Sequence, residues 1–134
     1  MRILIIDGHG GGIGKQLVAS IKAKHNEHII TAVGTNSMAT TAMLKAGADR
    51  AATGENAIIT GCRKTDLIIG PVGIVIADSL LGEITHKMAM AVGQSSAKRV
   101  LIPINSCDNI IAGVPDLTIA HLVQNAVEII DHLG

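Results

Sequence analysis

The residues best suited to chemistry lie in the segment IIDGHGGGIGK, which runs from Ile5 to Lys15 and holds five glycines within seven residues. Glycine lets a backbone turn sharply and approach a ligand closely. Amide groups at the start of a following helix face an anion, with the helix dipole behind them. The segment therefore predicts a phosphate-binding loop, with a plain strand-to-helix turn as the alternative. The predicted binding residues here are Gly8, Gly10, Gly11, Gly12, Ile13 and Gly14.

Three titratable residues near this loop are candidates for catalysis: Asp7, His9 and Glu55. Asp7 ends an apolar run, where burial raises the pKa of a carboxyl group. His9 has a side chain that contacts phosphate or transfers a proton near neutral pH. Each has a structural alternative: Asp7 shapes the turn by accepting loop amides, His9 is an exposed loop residue, and Glu55 interacts with a helix N-terminus.

The other histidines and the cysteines give weaker signals. Glu83 and His86 are three residues apart and would share a helix face, but a metal site needs three or four ligands. His25 and His28 flank a predicted helix end, where we expect them to be solvated. Cys107 follows the last predicted strand and is a candidate nucleophile, with an ordinary thiol as the alternative. The sequence therefore predicts no metal site.

Short apolar runs alternate with helical patterns five times along the chain. The runs at 3–6, 28–33, 48–52, 66–70 and 99–104 predict strands, and the segments between them predict helices. This alternation indicates an α/β fold, a three-layer doubly wound parallel sheet of Rossmann-like or flavodoxin-like type. We expect the strand order 3-2-1-4-5 and a single domain over residues 1–134.

Helix starts and one ambiguous segment complete the secondary-structure prediction. Side chains that favour the position before a helix predict N-caps at Asn36 or Ser37, at Thr53 and at Asp116. Gly47 predicts the end of the second helix. The segment 71–83 contains two early helix-disfavouring residues, Pro71 and Gly73, followed by an apolar patch. We expect it to be extended, with the distorted start of a helix as the alternative.

Polar and small residues follow each predicted strand. Ligands of such sheets bind outside the carboxyl ends of the strands, where the strand order reverses. Thr35 and Asn36 follow the second strand, Gly70 ends the fourth, and Pro71 follows it. We therefore add these four residues to the predicted ligand site.

Composition excludes several function classes. The chain has 134 residues, a formal net charge of zero and no Phe, Tyr or Trp. It has neither the basic surface nor the aromatic platforms that nucleic-acid binding uses, and no tyrosine can serve as an acid. The start of the chain lacks signal-peptide architecture and its apolar runs are too short for a bilayer, so we expect no membrane association and a cytoplasmic location. Only 16% of the residues are charged, which favours a homo-oligomer that buries part of its surface.

The glycine loop resembles that of the short-chain dehydrogenases. Gly8, Gly12, Ile13 and Gly14 fit their spacing G-x-x-x-G-I-G between the first strand and the first helix. The resemblance implies a phosphate-facing turn and covers only this part of the chain. The acidic residue that holds a ribose about twenty positions on is missing, and so is the catalytic tyrosine. A Walker loop is excluded, because His9 stands at its first glycine and Gln16 at its Ser/Thr.

A second resemblance covers nearly the whole chain. The chain is similar to a small family of uncharacterised bacterial proteins, a domain of unknown function, which implies one compact domain in a bacterial cytoplasm. The similar blocks are IDGHGGGIGKQLV, GTNSMATTAMLKAGADRAATGENAI, DLIIGPVGIVIADSLLGEIT and AKRVLIPIN.

The sequence thus favours a Rossmann-like protein that binds a nucleotide or another phosphate-bearing metabolite at residues 8–14. The cofactor, if there is one, is expected to be a nucleotide or dinucleotide of unspecified identity. Two alternatives stay open: a nucleotide-dependent oxidoreductase or transferase, and a self-assembling interaction protein with no ligand. Fold class alone separates none of these.

Overall fold

The computed structural model describes residues 1–104 and 109–133, which form five strands and five α-helices plus one short 3-10 helix. Strands and helices alternate along the chain. In order they are β1 Arg2–Asp7, α1 Gly12–Lys24, β2 Ile29–Gly34, α2 Ser37–Lys45, β3 Arg50–Thr53, α3 Glu55–Gly61, β4 Leu67–Pro71, the 3-10 helix Val72–Val75, α4 His86–Gln94, β5 Lys98–Ile102 and α5 Ile119–Asp131.

The five strands form one sheet in the order β3-β2-β1-β4-β5, and all four pairings are parallel. Ile5 in the central strand β1 pairs with Ala32 of β2 and with Ile69 of β4. This is the doubly wound sheet that the alternating pattern predicts, so the predicted fold class and strand order are confirmed.

Helices cover both faces of the sheet, which explains why β1 is apolar at successive positions. Ile3 and Ile5 pack on one face in a core shared with α1, α2 and α5. Leu4 and Ile6 pack on the other face in a core shared with α3 and α4. All four isoleucine and leucine side chains are almost fully buried. The two faces meet different helices because side chains alternate along a strand.

Helix ends follow local side-chain chemistry, though not always at the predicted residue. Asn36 caps α2, since its side chain accepts a hydrogen bond from the Ala39 amide at 2.9 Å. The predicted caps at Thr53 and Asp116 are wrong. Gly54, with φ of 103°, precedes α3 and leaves Thr53 in β3, and Thr118 caps α5 instead of Asp116. Several residues near each helix start could act as the cap. Strand pairing and the residue at which the helix begins decide which one does.

The segment after β4 also departs from its prediction. Instead of an extended run, it forms the 3-10 helix Val72–Val75 and then a series of turns. The turns fold back because Ser79 donates its hydroxyl to the Gly73 carbonyl and the Asp78 amide donates to the Ile84 carbonyl. This places Ile74 and Ile84 together in the second core. The burial of these two side chains depends on a contact between separate segments, which the local sequence pattern does not show.

The remaining boundaries shift by small amounts. The fifth strand ends at Ile102 rather than at residue 104. Glu83 and His86 do not share a helix, because α4 begins at His86. Within the described residues, no helix has both the length and the apolar character needed to cross a bilayer.

Candidate functional site

A cavity of about 520 Å³ lies at the carboxyl end of the sheet, beside the adjacent strands β1 and β4. The chain leaves β1 toward β2 and leaves β4 toward β5, so this is the point where the strand order reverses and where ligands of such folds bind. The volume falls in the usual range for small-molecule sites. The lining residues are Asp7, Gly8, His9, Gly10, Gly12, Ile13, Gln16, Pro71, Gly73, Leu80, Leu81, Ile104 and Ile119.

The cavity brings together only part of the predicted site. Two candidate catalytic residues, Asp7 and His9, line it, and the third, Glu55, does not. The predicted binding residues on its wall are Gly8, Gly10, Gly12, Ile13 and Pro71; those outside the wall are Gly11, Gly14, Thr35, Asn36 and Gly70.

Asp7 is a buried carboxylate that holds the loop and the start of α1 together. Its two oxygens accept hydrogen bonds from the Gly8 amide at 2.8 Å and the Gly14 amide at 2.7 Å. Burial raises the pKa of Asp7, outweighing the amides of Gly14 and Gly8 and the nearby charge of His9, which lower it. Because each oxygen already accepts a hydrogen bond from a loop amide, the geometry favours the turn-shaping role of Asp7 over a catalytic one.

Three of the loop glycines are required by the fold itself. A Cβ on Gly14 would lie 2.5 Å from the Met43 Sδ and 3.0 Å from the Asp7 Cβ. One on Gly8 would lie 2.7 Å from the Thr35 hydroxyl oxygen, and Gly11 has a left-handed backbone with φ of 74°. These glycines allow α1 and the loop to approach α2 and the neighbouring loops closely.

The other two loop glycines have no such structural reason. A Cβ on Gly10 or Gly12 would meet no atom of the described residues within 4 Å, and neither glycine has a positive φ. Their amides also donate to no protein acceptor within the described part of the chain. Both line the cavity. Two glycines that packing does not require therefore line the cavity with amides that have no partner among the described residues.

Glu83 joins the loops that follow β1 and β2. One carboxylate oxygen accepts hydrogen bonds from the His9 amide at 3.0 Å, the Asn36 side-chain amide at 2.9 Å and the Thr35 hydroxyl. Partial burial opposes ionisation, but the hydrogen bonds from Thr35, His9 and Asn36 outweigh it and hold the pKa of Glu83 below its usual value. Thr35 and Asn36 are thus bound to Glu83 rather than exposed to the cavity.

His9 lies between this carboxylate and the cavity. Its backbone is left-handed, with φ of 51°. Two hydrogen bonds stabilise this conformation: the His9 amide donates to Glu83, and the His9 carbonyl accepts from the Asn36 side-chain amide. The His9 Nε2 atom is 3.9 Å from the second oxygen of Glu83. The imidazole is half exposed, so it is accessible to a ligand in the cavity.

Comparison with known proteins identifies the family. The profile of a family described as a domain of unknown function, DUF3842, matches residues 2–133. The chain belongs to this family. The resemblance seen in the sequence blocks is therefore confirmed over nearly the whole chain, and no match was found among curated proteins.

One similar solved structure is a dodecameric FMN-dependent UbiX-like decarboxylase from Escherichia coli O157:H7. The two chains share 19% sequence identity with a TM-score of 0.48, and the match covers 98% of this chain and 77% of the decarboxylase chain.

The remaining predicted residues lie elsewhere in the DUF3842 fold. The Glu55 carboxylate accepts a hydrogen bond from the Thr85 hydroxyl at 2.6 Å, joining α3 to the start of α4. Gly70 is buried in β4, where its backbone lies against the Ile6 carbonyl. Cys107 lies outside the described residues.

Several residues of the site were missed by sequence reasoning. Glu83 was considered only as a weak metal partner, because nothing in the sequence shows that it crosses to the glycine loop. Leu80 and Leu81 reach the cavity through left-handed turns at φ of 55° and 56°, a conformation that leucine rarely adopts. Gln16 alone had a usable signal, since it lies one helical turn after Gly12.

The charge of the cavity wall is low. Asp7 and His9 are its only titratable lining residues, and no Lys or Arg lines it among the residues that the structure describes. Aliphatic side chains supply most of the remaining wall, from Ile13, Leu80, Leu81, Ile104 and Ile119. An anion here would be held by backbone amides, the α1 dipole and the His9 ring, without a cationic side chain.

Proposed function

We propose that this protein binds a small phosphate-bearing metabolite, such as a mononucleotide, in the cavity beside β1 and β4. The observation that carries the proposal is the pair Gly10 and Gly12. Their side-chain positions are open and their amides have no partner among the described residues. Since the fold does not require glycine at either position, close approach of a ligand to this backbone is the physical reason that remains.

The arrangement also constrains the ligand. Asp7 engages the amides of Gly8, Ile13 and Gly14. The Gly11 amide donates to the Gly8 carbonyl, so Gly10 and Gly12 are the loop glycines whose amides are left for a ligand. Two donors and one imidazole suit a single phosphate better than a pyrophosphate. The apolar wall suits a ligand whose remaining part is largely uncharged, and without aromatic residues an adenine ring would be held by aliphatic contacts.

The test is a side chain placed at Gly12. In Gly12→Val, the added Cβ meets no atom of the described residues within 4 Å, and the side chain enters the space that the phosphate needs. We expect AMP to raise the unfolding temperature of the wild-type protein, adenosine to raise it less, and Gly12→Val to lose most of the AMP effect. Thermal unfolding over a series of ligand concentrations gives both the shift and the apparent affinity.

The matched control is Gly93→Val. Gly93 is also a helical glycine with open space around its side-chain position, and it lies outside the cavity wall. The Gly93→Val variant should bind AMP with the same affinity as the wild type. If AMP, NAD and inorganic phosphate all leave the unfolding temperature unchanged, or if Gly12→Val keeps the wild-type response, the proposal is wrong.

A measurement that does not depend on the choice of ligand complements this panel. Native mass spectrometry of freshly purified protein should show an added mass that carries phosphorus and that disappears in Gly12→Val. An added mass without phosphorus would contradict the phosphate assignment while leaving the cavity as a binding site.

A further inference from the structure

Three side chains with metal-ligand chemistry meet in the turn between α1 and β2, in the sequence His25-Asn26-Glu27-His28. One ligand atom from each of His25, Glu27 and His28 lies within 4.8 Å of the other two. It is the only such group of three among the residues that the structure describes. The turn lies where β2 begins, whereas the cavity lies where the strands end, so this cluster is separate from the proposed ligand site.

The distances inside the cluster are close to those of a bound metal ion. The His25 Nδ1 atom is 3.4 Å from the Glu27 Oε1 atom, and the His28 Nε2 atom is 3.9 Å from that same oxygen. Ligand atoms about 2.0–2.1 Å from a tetrahedral Zn²⁺ are about 3.3 Å apart. The first pair is close to this spacing and the second is about 0.6 Å longer, with Glu27 the most exposed of the three side chains.

The Asp131 carboxylate orients the imidazole of His25 for ligation. The second nitrogen of His25 contacts the Asp131 carboxylate of α5, which leaves Nδ1 directed at Glu27. Metal-binding histidines almost always have a carboxylate, carbonyl or water on their other nitrogen. Asp131 is held in turn by Lys24, at 2.5 Å. The His28 Nδ1 atom lies 2.9 Å from the Met1 amino group, so the nitrogen that faces Glu27 is Nε2.

The two histidine side chains are more buried than the glutamate between them. The sequence predicts solvated imidazoles, but only 24% of the His25 side chain and 13% of the His28 side chain are exposed. Glu27 is 66% exposed and leaves an approach from solvent. Two partly buried imidazoles and one exposed carboxylate supply three ligands, and a water from solvent would be the fourth.

We propose that His25, Glu27 and His28 bind a divalent cation of the Zn²⁺ class, with Asp131 positioning His25. Two imidazoles and one carboxylate favour a late first-row ion over Mg²⁺ or Ca²⁺, which prefer oxygen ligands. The bound ion joins the end of α1, the start of β2 and, through Asp131, the end of α5. Its effect is to stabilise that junction.

The test is a zinc titration of the untagged chain after treatment with a chelator, followed by calorimetry. We expect one Zn²⁺ per chain and a higher unfolding temperature with the ion. Glu27→Gln and His25→Ala should each weaken binding at least tenfold. Glu27 is exposed, so the first variant leaves the fold intact even if a histidine variant does not.

Two further variants separate ligation from nonspecific uptake. Asp131→Asn removes the charge behind His25 and should weaken binding about 10–100-fold without changing the stoichiometry. His121→Ala removes an exposed histidine of α5 and should bind zinc like the wild type. Unchanged affinity in Glu27→Gln and His25→Ala, or the absence of any saturable Zn²⁺ binding, overturns the proposal. Neither result bears on the cavity, because AMP binding is measured independently.

Discussion

The Asp7 carboxylate takes up an amide at the N-terminus of α1, a position where phosphate-binding loops hold an anionic group of the ligand. It accepts the amides of Gly8 and Gly14 while 4% exposed. A buried acid in a cavity suggests catalysis when viewed alone. The two hydrogen bonds show instead how a carboxylate closes a strand-to-helix turn, and they reduce the number of amides left for a ligand.

The raised pKa of Asp7 predicts a specific pH dependence. Because burial raises this pKa above the usual 3.8, folding favours the neutral carboxyl. The stability that the group contributes is complete below the unfolded pKa and is lost as pH rises through the folded pKa, by about 1.4 kcal/mol per unit of pKa difference. The free energy of unfolding of wild type minus that of Asp7→Asn, measured by urea titration, should therefore fall as pH rises above 3.8.

Asp66 offers the opposite case as a control. Its hydrogen bonds to Arg2 hold the pKa of Asp66 below its usual value. Its contribution is present above the unfolded pKa and is lost as pH falls, so the difference between wild type and Asp66→Asn should rise with pH. A rising difference for Asp7→Asn as well would mean that the two amides outweigh burial and that the Asp7 pKa is lowered.

At the scale of the element, the first turn of α1 holds two glycines with different roles, Gly12 and Gly14. Gly14 lies against the buried Met43 of α2 and lets the two helices approach. Gly12 faces the cavity, where the fold leaves its side-chain position open. The spacing G-x-x-x-G-I-G therefore combines one packing requirement with one position available to a ligand.

Alanine substitutions at these two positions should have opposite effects. In Gly14→Ala, the new Cβ would lie 2.9 Å from the Met43 Cγ atom and 3.0 Å from the Asp7 Cβ, and overpacking of this kind costs about 1–3 kcal/mol. Gly12→Ala meets no such obstacle and should gain up to about 0.5–1 kcal/mol from helix propensity. Urea unfolding at neutral pH measures both. Equal effects would contradict the division of roles.

At the scale of the whole molecule, the low charge content leaves apolar side chains on the surface. Ile110 is 89% exposed, Leu81 is 86% exposed and Met38 is 68% exposed. Leu81 also lines the cavity. Such residues occur singly on many monomers, but together with a charge content of 16% they favour association between copies of the chain.

The expected homo-oligomer can be tested by sedimentation velocity. We expect a species larger than 13.8 kDa at micromolar concentration, and we expect Ile110→Glu to shift the distribution toward the monomer, since a charge is costly in an apolar interface. Lys64→Glu, an exposed change on a different face, serves as the control. A monomer at every concentration studied would show that the low surface charge has another reason.

How much of this could be predicted from sequence is clearest from particular elements. The strand order and both core faces follow from local pattern, because apolar runs, helical spacing and chain direction leave few ways to build a parallel sheet. Asp7, His9 and the glycine loop were located for the same reason: they follow β1 directly. The family assignment rests on blocks that span the chain.

Tertiary structure decided what local pattern cannot express. Glu83 reaches the loops after β1 and β2 only because residues 72–84 fold back on Ile74 and Ile84. The same long-range packing separates Gly14 from Gly12 and places Asp131 of α5 beside His25. The sequence by itself determined the sheet and the position of its glycine loop, since these depend on neighbouring residues. Which side chains meet depends on contacts between distant segments, whose free energy appears only in the folded chain.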